Sequence, residues 1–369
     1  MRVRFAPALL QGGAGRQGLA APASAGTGAG TGAGTGTASF ALSAYAPQAL
    51  RHADPAALQT LAGEAMGTTW SVRLHNPEFR PLDEARRTIE EALALVVRQM
   101  SNWEAGSDIS RFNRAEAGCW HALPGEFFTV LSCAMQWAHA SGGAWDPTVG
   151  PLVDLWGFGP RAQQRPGGTV PDAQALRQAR ERVGYQRIVL DAQRQRAWQP
   201  GGVHVDFSGI AKGYSVDLVA DGLQALGYTD FLVEVGGELR ARGQRPGAQP
   251  WRVAVASLAD QATPLTLPLR DMAVATSGDH WHAFEQDGRR YSHTIDPRSG
   301  EPVAHGLTSV TVLHAHCMQA DALATVLTVL GPREGLEFAE RHCVAALLCE
   351  RTPQGPAMAM TAAFAALLP

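Results

Sequence analysis

An aspartate, a lysine and two glycines fall within the run Asp206-Phe207-Ser208-Gly209-Ile210-Ala211-Lys212-Gly213. A short β-prone stretch, Gly202–Val205, leads into it, and Val216, Val219, Leu223 and Leu226 follow at helical spacing. The run is therefore expected on a strand-to-helix turn, which is a good place to hold a phosphate. The free N–H groups of a helix start and the helix dipole favour negative charge. Gly209 and Gly213 let the backbone come close, and Lys212 adds a full positive charge. Asp206 does not suit a simple anion site. It calls for a metal, or for a hydrogen-bond donor on the ligand.

Other segments offer chemistry of a matching kind. Asp321 and Thr325 are four apart on an expected helix, Ala320–Leu330, so they share a face. A carboxylate and a hydroxyl there give a hard cation two oxygen ligands, in the manner of magnesium sites that keep water or a substrate phosphate. The competing reading has Asp321 as a helix cap and Thr325 as core filling. The loop Ser292–Gly300 crowds His293, Asp296 and Arg298 before a turn glycine, although a lone histidine is more often structural. In Gly142–Gly150 the glycines end a helix and Pro147 fixes the backbone after Asp146. That segment is either a turn with a capping aspartate or a surface for a flat polar ring beside Trp145. Gly236-Gly237-Glu238 at a strand end suits close approach of a ligand to main chain, or an ordinary hairpin. Met66 and Trp103 sit near turns, where each can pack on an aromatic ligand or belong to the core. Thr276-Ser277-Gly278-Asp279 marks another strand end.

The elements that position these groups alternate between strand and helix patterns. Thr69–Leu74 alternates as a half-buried strand, and Asp83–Met100 carries one apolar stripe, as a helix does. Phe127–His139 and Asp172–Val183 read as further helices. Arg187–Asp191, Phe231–Val235, Arg252–Ser257, Met272–Thr276 and Ser309–His314 read as strands, with Val344–Cys349 and Ala357–Thr361 closing the chain. Gly331-Pro332 is a stop for the helix that carries Asp321. The order is mixed α/β, with two lobes sharing a cleft.

Composition sets outer limits. Of 369 residues, 45% are hydrophobic and 18% charged, which suits a globular protein with an ample core. The formal charge of -3 gives no reason to expect nucleic acid as a partner. No apolar run reaches the roughly 18 residues of a transmembrane span. The five cysteines form no Cys-x-x-Cys pair and are expected as free, mostly buried thiols. From Gly26 to Gly36 every second residue is glycine, so residues 1–60 read as a disordered Gly/Ala/Thr-rich segment and 61–369 as the folded domain. No Gly-Lys-Ser/Thr follows that tract, which removes it as a phosphate loop.

Singly these signals are weak; in this order they are specific. The chain resembles the ApbE family, the FAD:protein FMN transferases. The resemblance is carried by Ala65-Met66-Gly67-Thr68, Met100-Ser101-Asn102-Trp103, Ser110-Arg111-Phe112-Asn113, Trp145–Leu152, Trp156-Gly157-Phe158, Asp206–Gly213, Gly236-Gly237-Glu238, Thr276–Asp279, His293–Pro297 and Asp321–Thr325. It implies an α/β fold (an α+β mixed sheet) with two lobes around a flavin-binding cleft. It further implies Mg²⁺ as cofactor and FAD as substrate, with the FMN half passing to a Ser or Thr hydroxyl of an acceptor flavoprotein and AMP released. The acceptor would be, for example, a redox-pump subunit or a flavin-carrying reductase domain. By position, Met66, Trp103, Ala144, Trp145, Asp146, Asp206, Lys212 and Ile295 match FAD-contacting residues. Asp321 and Thr325 match metal-ligand side chains, and Gly209 matches a backbone carbonyl ligand. His293 matches a histidine near the reacting phosphate, suggested to help deprotonate the acceptor, and His293, Asp206 and Lys212 are the catalytic residues this implies. Glu238 stands where some relatives carry another polar residue and has no assigned role.

The alternatives are a Mg²⁺-dependent FAD pyrophosphatase, with water in place of the hydroxyl, and a non-catalytic FAD-binding module. Many relatives are exported lipoproteins with a cysteine behind a signal peptide. The first cysteine here is Cys119, so no lipid anchor is expected; the cytoplasm is preferred, with the periplasm as the alternative.

Overall fold

The computed structural model describes residues 54, 56–160, 170–255, 265–278 and 283–368. The Gly/Thr tract, Asp279 and the end of the Arg252–Ser257 run lie outside them.

The chain opens with β1 (Leu58–Ala65), β2 (Thr68–His75), α1 (Asp83–Met100), α2 (Asp108–Asn113), β3 (Cys119–Ala122) and α3 (Gly125–Ala140). Then come α4 (Gly150–Leu155), α5 (Ala173–Arg180), β4 (Val189–Asp191), β5 (Arg196–Gln199) and α6 (Ala211–Ala225). The strands β6 (Phe231–Val235), β7 (Glu238–Arg242), β8 (Trp251–Ala254), β9 (Thr266–Leu269) and β10 (Ala273–Gly278) follow, with the hairpin β11 (Ala283–Gln286) and β12 (Arg289–Ser292). Last are β13 (Leu307–His314), α7 (Cys317–Arg341), β14 (Ala345–Thr352), β15 (Gly355–Met360) and α8 (Ala362–Ala365). Among the described residues no helix is long and apolar enough to cross a membrane.

The main sheet has eight strands in the order β1-β2-β6-β7-β10-β13-β14-β15. Every ladder in it is antiparallel, so the mixed sheet expected from the sequence is in fact of one kind. Both faces are covered, which is why β13 is buried along nearly its whole length. Phe231, Val233 and Val235 face α1 and α6 through Ile89, Leu93, Val216 and Val219. Val310 and Val312 sit in the core that α7 shares with α3. Leu232, Leu239 and Leu313 point to the opposite face, which β8, β9 and α8 close with Trp251, Val253, Leu267 and Phe364. The five cysteines are free thiols, with Cys133, Cys317 and Cys349 buried.

Four local expectations change. β1 begins at Leu58, ahead of Leu61, and pairs along its length with β2. Gly202–Val205 is not a strand; its only ladder contact is a parallel bridge from His204 to Val149. The backbone of Val205 is engaged by side chains instead, as described below. The strand expected from Arg187 starts at Val189, after a 3₁₀ turn over Tyr185–Arg187. The helix carrying Asp321 starts earlier, at Cys317, and helical chain resumes after Gly331.

The break at Gly331 is built from three residues. Gly331 adopts φ 83°, ψ -178°, which an L side chain resists. Pro332 has no N–H, so the Thr328 carbonyl one turn earlier loses its helical donor. The His305 Nε2–H donates to that carbonyl at 2.7 Å, while Leu307 N–H donates to His305 Nδ1 at 3.3 Å and leaves the proton on Nε2.

α7 is also fixed at its start. The residue before it, His316, gives no side-chain cap. Asp217 on α6 supplies one from outside, accepting from Cys317 N–H and Met318 N–H at 2.9 Å each. Arg240 on β7 donates to the same carboxylate at 2.7 Å, and both side chains are buried. Removing one partner of a buried ion pair strands the other. Asp217→Ala is therefore expected to destabilise the fold by about 3–5 kcal/mol, read as a lowered urea midpoint. An unchanged midpoint would mean that α7 is held without this cap.

Candidate functional site

The turn before α6 lies at the centre of the site, and its position is set by asparagine side chains. Asn113 Oδ1 accepts from Val205 N–H at 2.7 Å, and its Nδ2 donates to Val205 O at 2.9 Å. Asn102 Nδ2 donates to the same carbonyl at 3.3 Å. Asn102 and Asn113, asparagines given no role from the sequence, thus take the place of a strand neighbour for Val205. Asn113→Ala leaves the buried Val205 amide unpaired and is expected to cost about 1–3 kcal/mol. Equilibrium unfolding in urea checks this; a loss below about 0.5 kcal/mol contradicts the assignment.

Beyond Val205 the turn is tied to the 145–149 loop. Asp206 N–H donates to Pro147 O at 2.7 Å, and Asp206 Oδ1 accepts from Ser208 N–H at 2.7 Å. Asp146 is spent on the protein itself. Its carboxylate accepts from Thr148 N–H, the Thr148 hydroxyl and Tyr185 N–H at 2.7, 2.6 and 2.7 Å. Burial raises its pKa, and these hydrogen bonds pull it back. Asp146 therefore shapes the loop that presents Ala144 and Trp145, both buried.

The first turn of α6 meets α7 at glycines. A Cβ on Gly213 would lie 2.4 Å from Cys317 O and 2.7 Å from Asp321 Cβ, so no larger residue fits this crossing. Gly213 N–H donates to Asp321 Oδ2 at 2.9 Å. A Cβ on Gly209 would lie 2.9 Å from Thr325 Oγ1 and 3.1 Å from Trp145 Nε1. Gly209, Gly213, Trp145, Asp321 and Thr325 are thus brought together, and Asp321 is an interior helix residue rather than a cap.

Two hairpin tips reach the same place. Met66 and Gly67 form a two-residue turn between β1 and β2 with φ 54° and 71°, the primed turn that matches strand twist. Met66 packs on both neighbouring cores. Gly236 and Gly237 join β6 to β7, and a Cβ on Gly236 would lie 2.8 Å from Thr68 Cγ2 and 3.4 Å from Lys212 Cδ. The first residue of β7, Glu238, is buried, and its Oε1 accepts from Lys212 Nζ at 2.5 Å. Its Oε2 is buried with no hydrogen-bond partner.

The electrostatics of this cluster are short of positive charge. Burial, then the neighbouring Glu238, pushes the Asp321 carboxyl up to about 7, against the pull of Lys212 and Gly213 N–H. Burial lowers the Lys212 pKa, but Glu238 and Asp321 outweigh it and the net shift is upward. Two carboxylates thus share one ammonium.

The other candidate residues are held by contacts of their own. Trp103 is 60% exposed, so it is no core residue. Ile295 is buried with Leu152, Trp156 and Ala179, and bridges to Pro302. His293 follows β12, with the Phe158 ring edge-on at 6.4 Å. That hairpin is clasped by stacked rings, Phe284 on Tyr291 at 5.0 Å and Tyr291 on Trp156 at 5.5 Å. Trp156 Nε1–H donates to Gly300 O at 2.8 Å and ties the His293 loop to the end of α4.

Asp217 lies outside the residues singled out from the sequence, and Glu238 was singled out there without a role. Asp217 carried a signal, a carboxylate inside the apolar stripe of α6. Glu238 carried only its place directly after two glycines.

The sequence model described as the ApbE family matches residues 66–348. A Vibrio cholerae protein named FAD:protein FMN transferase is 38% identical over 304 residues, 82% of this chain and 90% of that protein. One of the same name from Haemophilus influenzae is 38% identical over 316 residues, covering 83% and 90%. The crystal structure of Pseudomonas stutzeri flavinyl transferase ApbE in its apo form matches with TM-score 0.78 and 39% identity over 85% of this chain and 97% of that one. The flavin transferase ApbE from Vibrio cholerae matches with TM-score 0.78 and 36% identity, covering 85% and 100%.

Proposed function

The chain belongs to the ApbE family, and we infer from this that it transfers the FMN half of FAD to a Ser or Thr hydroxyl of an acceptor flavoprotein and releases AMP. The observation that carries the reading is the meeting of Lys212, Gly209, Asp321 and Thr325 where α6 begins against α7. A site for splitting a pyrophosphate needs fixed positive charge and a metal more than covalent chemistry.

The residues present fit Mg²⁺. Asp321 and Thr325 offer hard oxygen donors on one helix face, and the Gly209 backbone comes close to Thr325. Burial beside Glu238 raises the Asp321 carboxyl, a concentration of negative charge that a cation there would satisfy. Among the described residues no group of three His, Cys, Asp or Glu side chains could hold a metal ion, so water and substrate oxygens would have to complete the shell around Asp321 and Thr325. When bound, Mg²⁺ supplies Lewis-acid stabilisation of charge on the pyrophosphate oxygens.

The chain's own groups do the rest. Lys212 neutralises phosphate charge, and the free N–H groups of the α6 start add to it. Trp103, Trp145 and Met66 offer aromatic and thioether surfaces to a flavin ring. The acceptor oxygen forms a bond to the FMN phosphorus, and the bond from that phosphorus to the bridging oxygen breaks. The hydroxyl proton passes to His293, and AMP leaves with the bonding electron pair.

Mass spectrometry of the protein with FAD, Mg²⁺ and an acceptor domain bearing the target Ser/Thr tests this. The acceptor is expected to gain one FMN and AMP to appear in proportion, with both lost on chelation. Equal AMP and free FMN with and without acceptor would replace the transferase by a hydrolase.

A further inference from the structure

Glu238 lies in the centre of the site, yet it is neither a metal ligand nor a flavin contact in the reading above. We propose that it is a positioning residue: it holds the Lys212 ammonium off Asp321, and so keeps that carboxylate open to a divalent cation. The proposal rests on reading Asp321 and Thr325 as metal ligands.

The geometry gives Lys212 two possible partners. Lys212 and Gly213 are neighbours on the first turn of α6, and Gly213 N–H already touches Asp321 Oδ2 at 2.9 Å. A long flexible ammonium that close to a buried carboxylate pairs with it unless something competes. Glu238 is the competitor, with its oxygen 2.5 Å from Nζ. Its own position is rigid. It is the first residue of β7, paired with Val235 across a two-residue turn, and its side chain is only 4% exposed. The stem of Lys212 lies along Gly236, where a side chain would come within 3.4 Å of its Cδ. The hairpin thus fixes both the stem and the head of the lysine.

The consequence is a division of charge. Glu238 holds the ammonium, and the Asp321 carboxylate faces the cation position without it. Without Glu238, Lys212 pairs with Asp321, the two cancel, and a metal must displace an ammonium to bind. Loss of a residue that orients a metal ligand costs on the order of 10- to 100-fold in metal affinity.

The experiment measures Mn²⁺ binding by electron paramagnetic resonance on the full chain without FAD, for wild type, Glu238→Gln, Lys212→Met, the double variant of these two, and Asp321→Asn. Glu238→Gln is expected to weaken Mn²⁺ binding on the order of 10-fold or more. Lys212→Met is expected to bind at least as tightly as wild type. The double variant is expected to return to the Lys212→Met value, because no ammonium is left to compete. A double variant as weak as Glu238→Gln overturns the proposal, since Glu238 would then act on the metal directly. Unchanged Mn²⁺ affinity in Glu238→Gln, with or without a lowered melting temperature, also overturns it. A wild-type chain that binds no Mn²⁺ overturns the metal reading itself, while binding that only Asp321→Asn removes upholds that reading and rejects the role of Glu238.

Discussion

Asp321→Ala is expected to lower AMP release from FAD by at least about 100-fold at saturating Mg²⁺, because a lost metal ligand removes several kcal/mol of charge stabilisation. The variant also strips Gly213 N–H of its acceptor at the α6–α7 crossing, so a structural loss could imitate a catalytic one. Asp321→Asn separates the two. Its amide oxygen still accepts from Gly213 N–H, but it carries no charge for a cation. Both variants are expected to lose turnover, while only the alanine variant loses a hydrogen bond and melts lower. Near-wild-type AMP release by Asp321→Asn at low Mg²⁺ would remove Asp321 from the metal site.

His293→Gln is expected to slow FMN transfer by about 10²- to 10⁴-fold, the usual contribution of a general base. An alcohol is a poor nucleophile at neutral pH, so the step needs a group that takes its proton. FAD affinity is expected to hold, because the residues read as flavin contacts lie on other loops, apart from Ile295. The measurement is single-turnover transfer to the acceptor together with FAD binding by fluorescence. A variant that transfers normally excludes His293 as the base. One that loses FAD binding and transfer together assigns it a binding role instead. The edge-on Phe158 ring limits where the imidazole can turn, so glutamine, of similar length, is the cleaner replacement than glycine.

What the sequence made legible follows the reach of each interaction. The stripe of α1 and the alternation of β2 and β6 are local patterns, and these elements appear where the spacing puts them. The turn at Asp206–Gly213 was also local: a helix starts there and its glycines face α7. Gly202–Val205 was misread because β-propensity reports a buried, extended backbone and not what pairs with it. Asn113, 92 positions away along the chain, takes the place of a strand there. Glu238 and Lys212 are separated by 26 positions, and no periodicity connects a hairpin tip to a helix start. Asp146 was legible as a carboxylate that caps its own turn, as its bonds to Thr148 do, but not in its tie to Tyr185. Its three donors come from Thr148 and Tyr185, and the second of these arrives from another segment. The antiparallel order of the main sheet was closed to sequence reading for the same reason, since β2 pairs with β6 across some 160 residues.

The interruption of α7 at Gly331 has a consequence for how the gene can change. In an unbroken helix each inserted residue turns everything beyond it by about 100°. An insertion within Met318–Ala320 would swing Asp321 and Thr325 off the α6 crossing while Asp217 still gripped the helix start. An insertion after Pro332 is a different event. The ladder is already open there, with His305 closing the last carbonyl of the first segment, so the rotation stays downstream. Length variation beyond Pro332 would therefore disturb Phe338 and Ala339, which are buried in the core shared with α3, without turning the segment that carries Asp321 and Thr325.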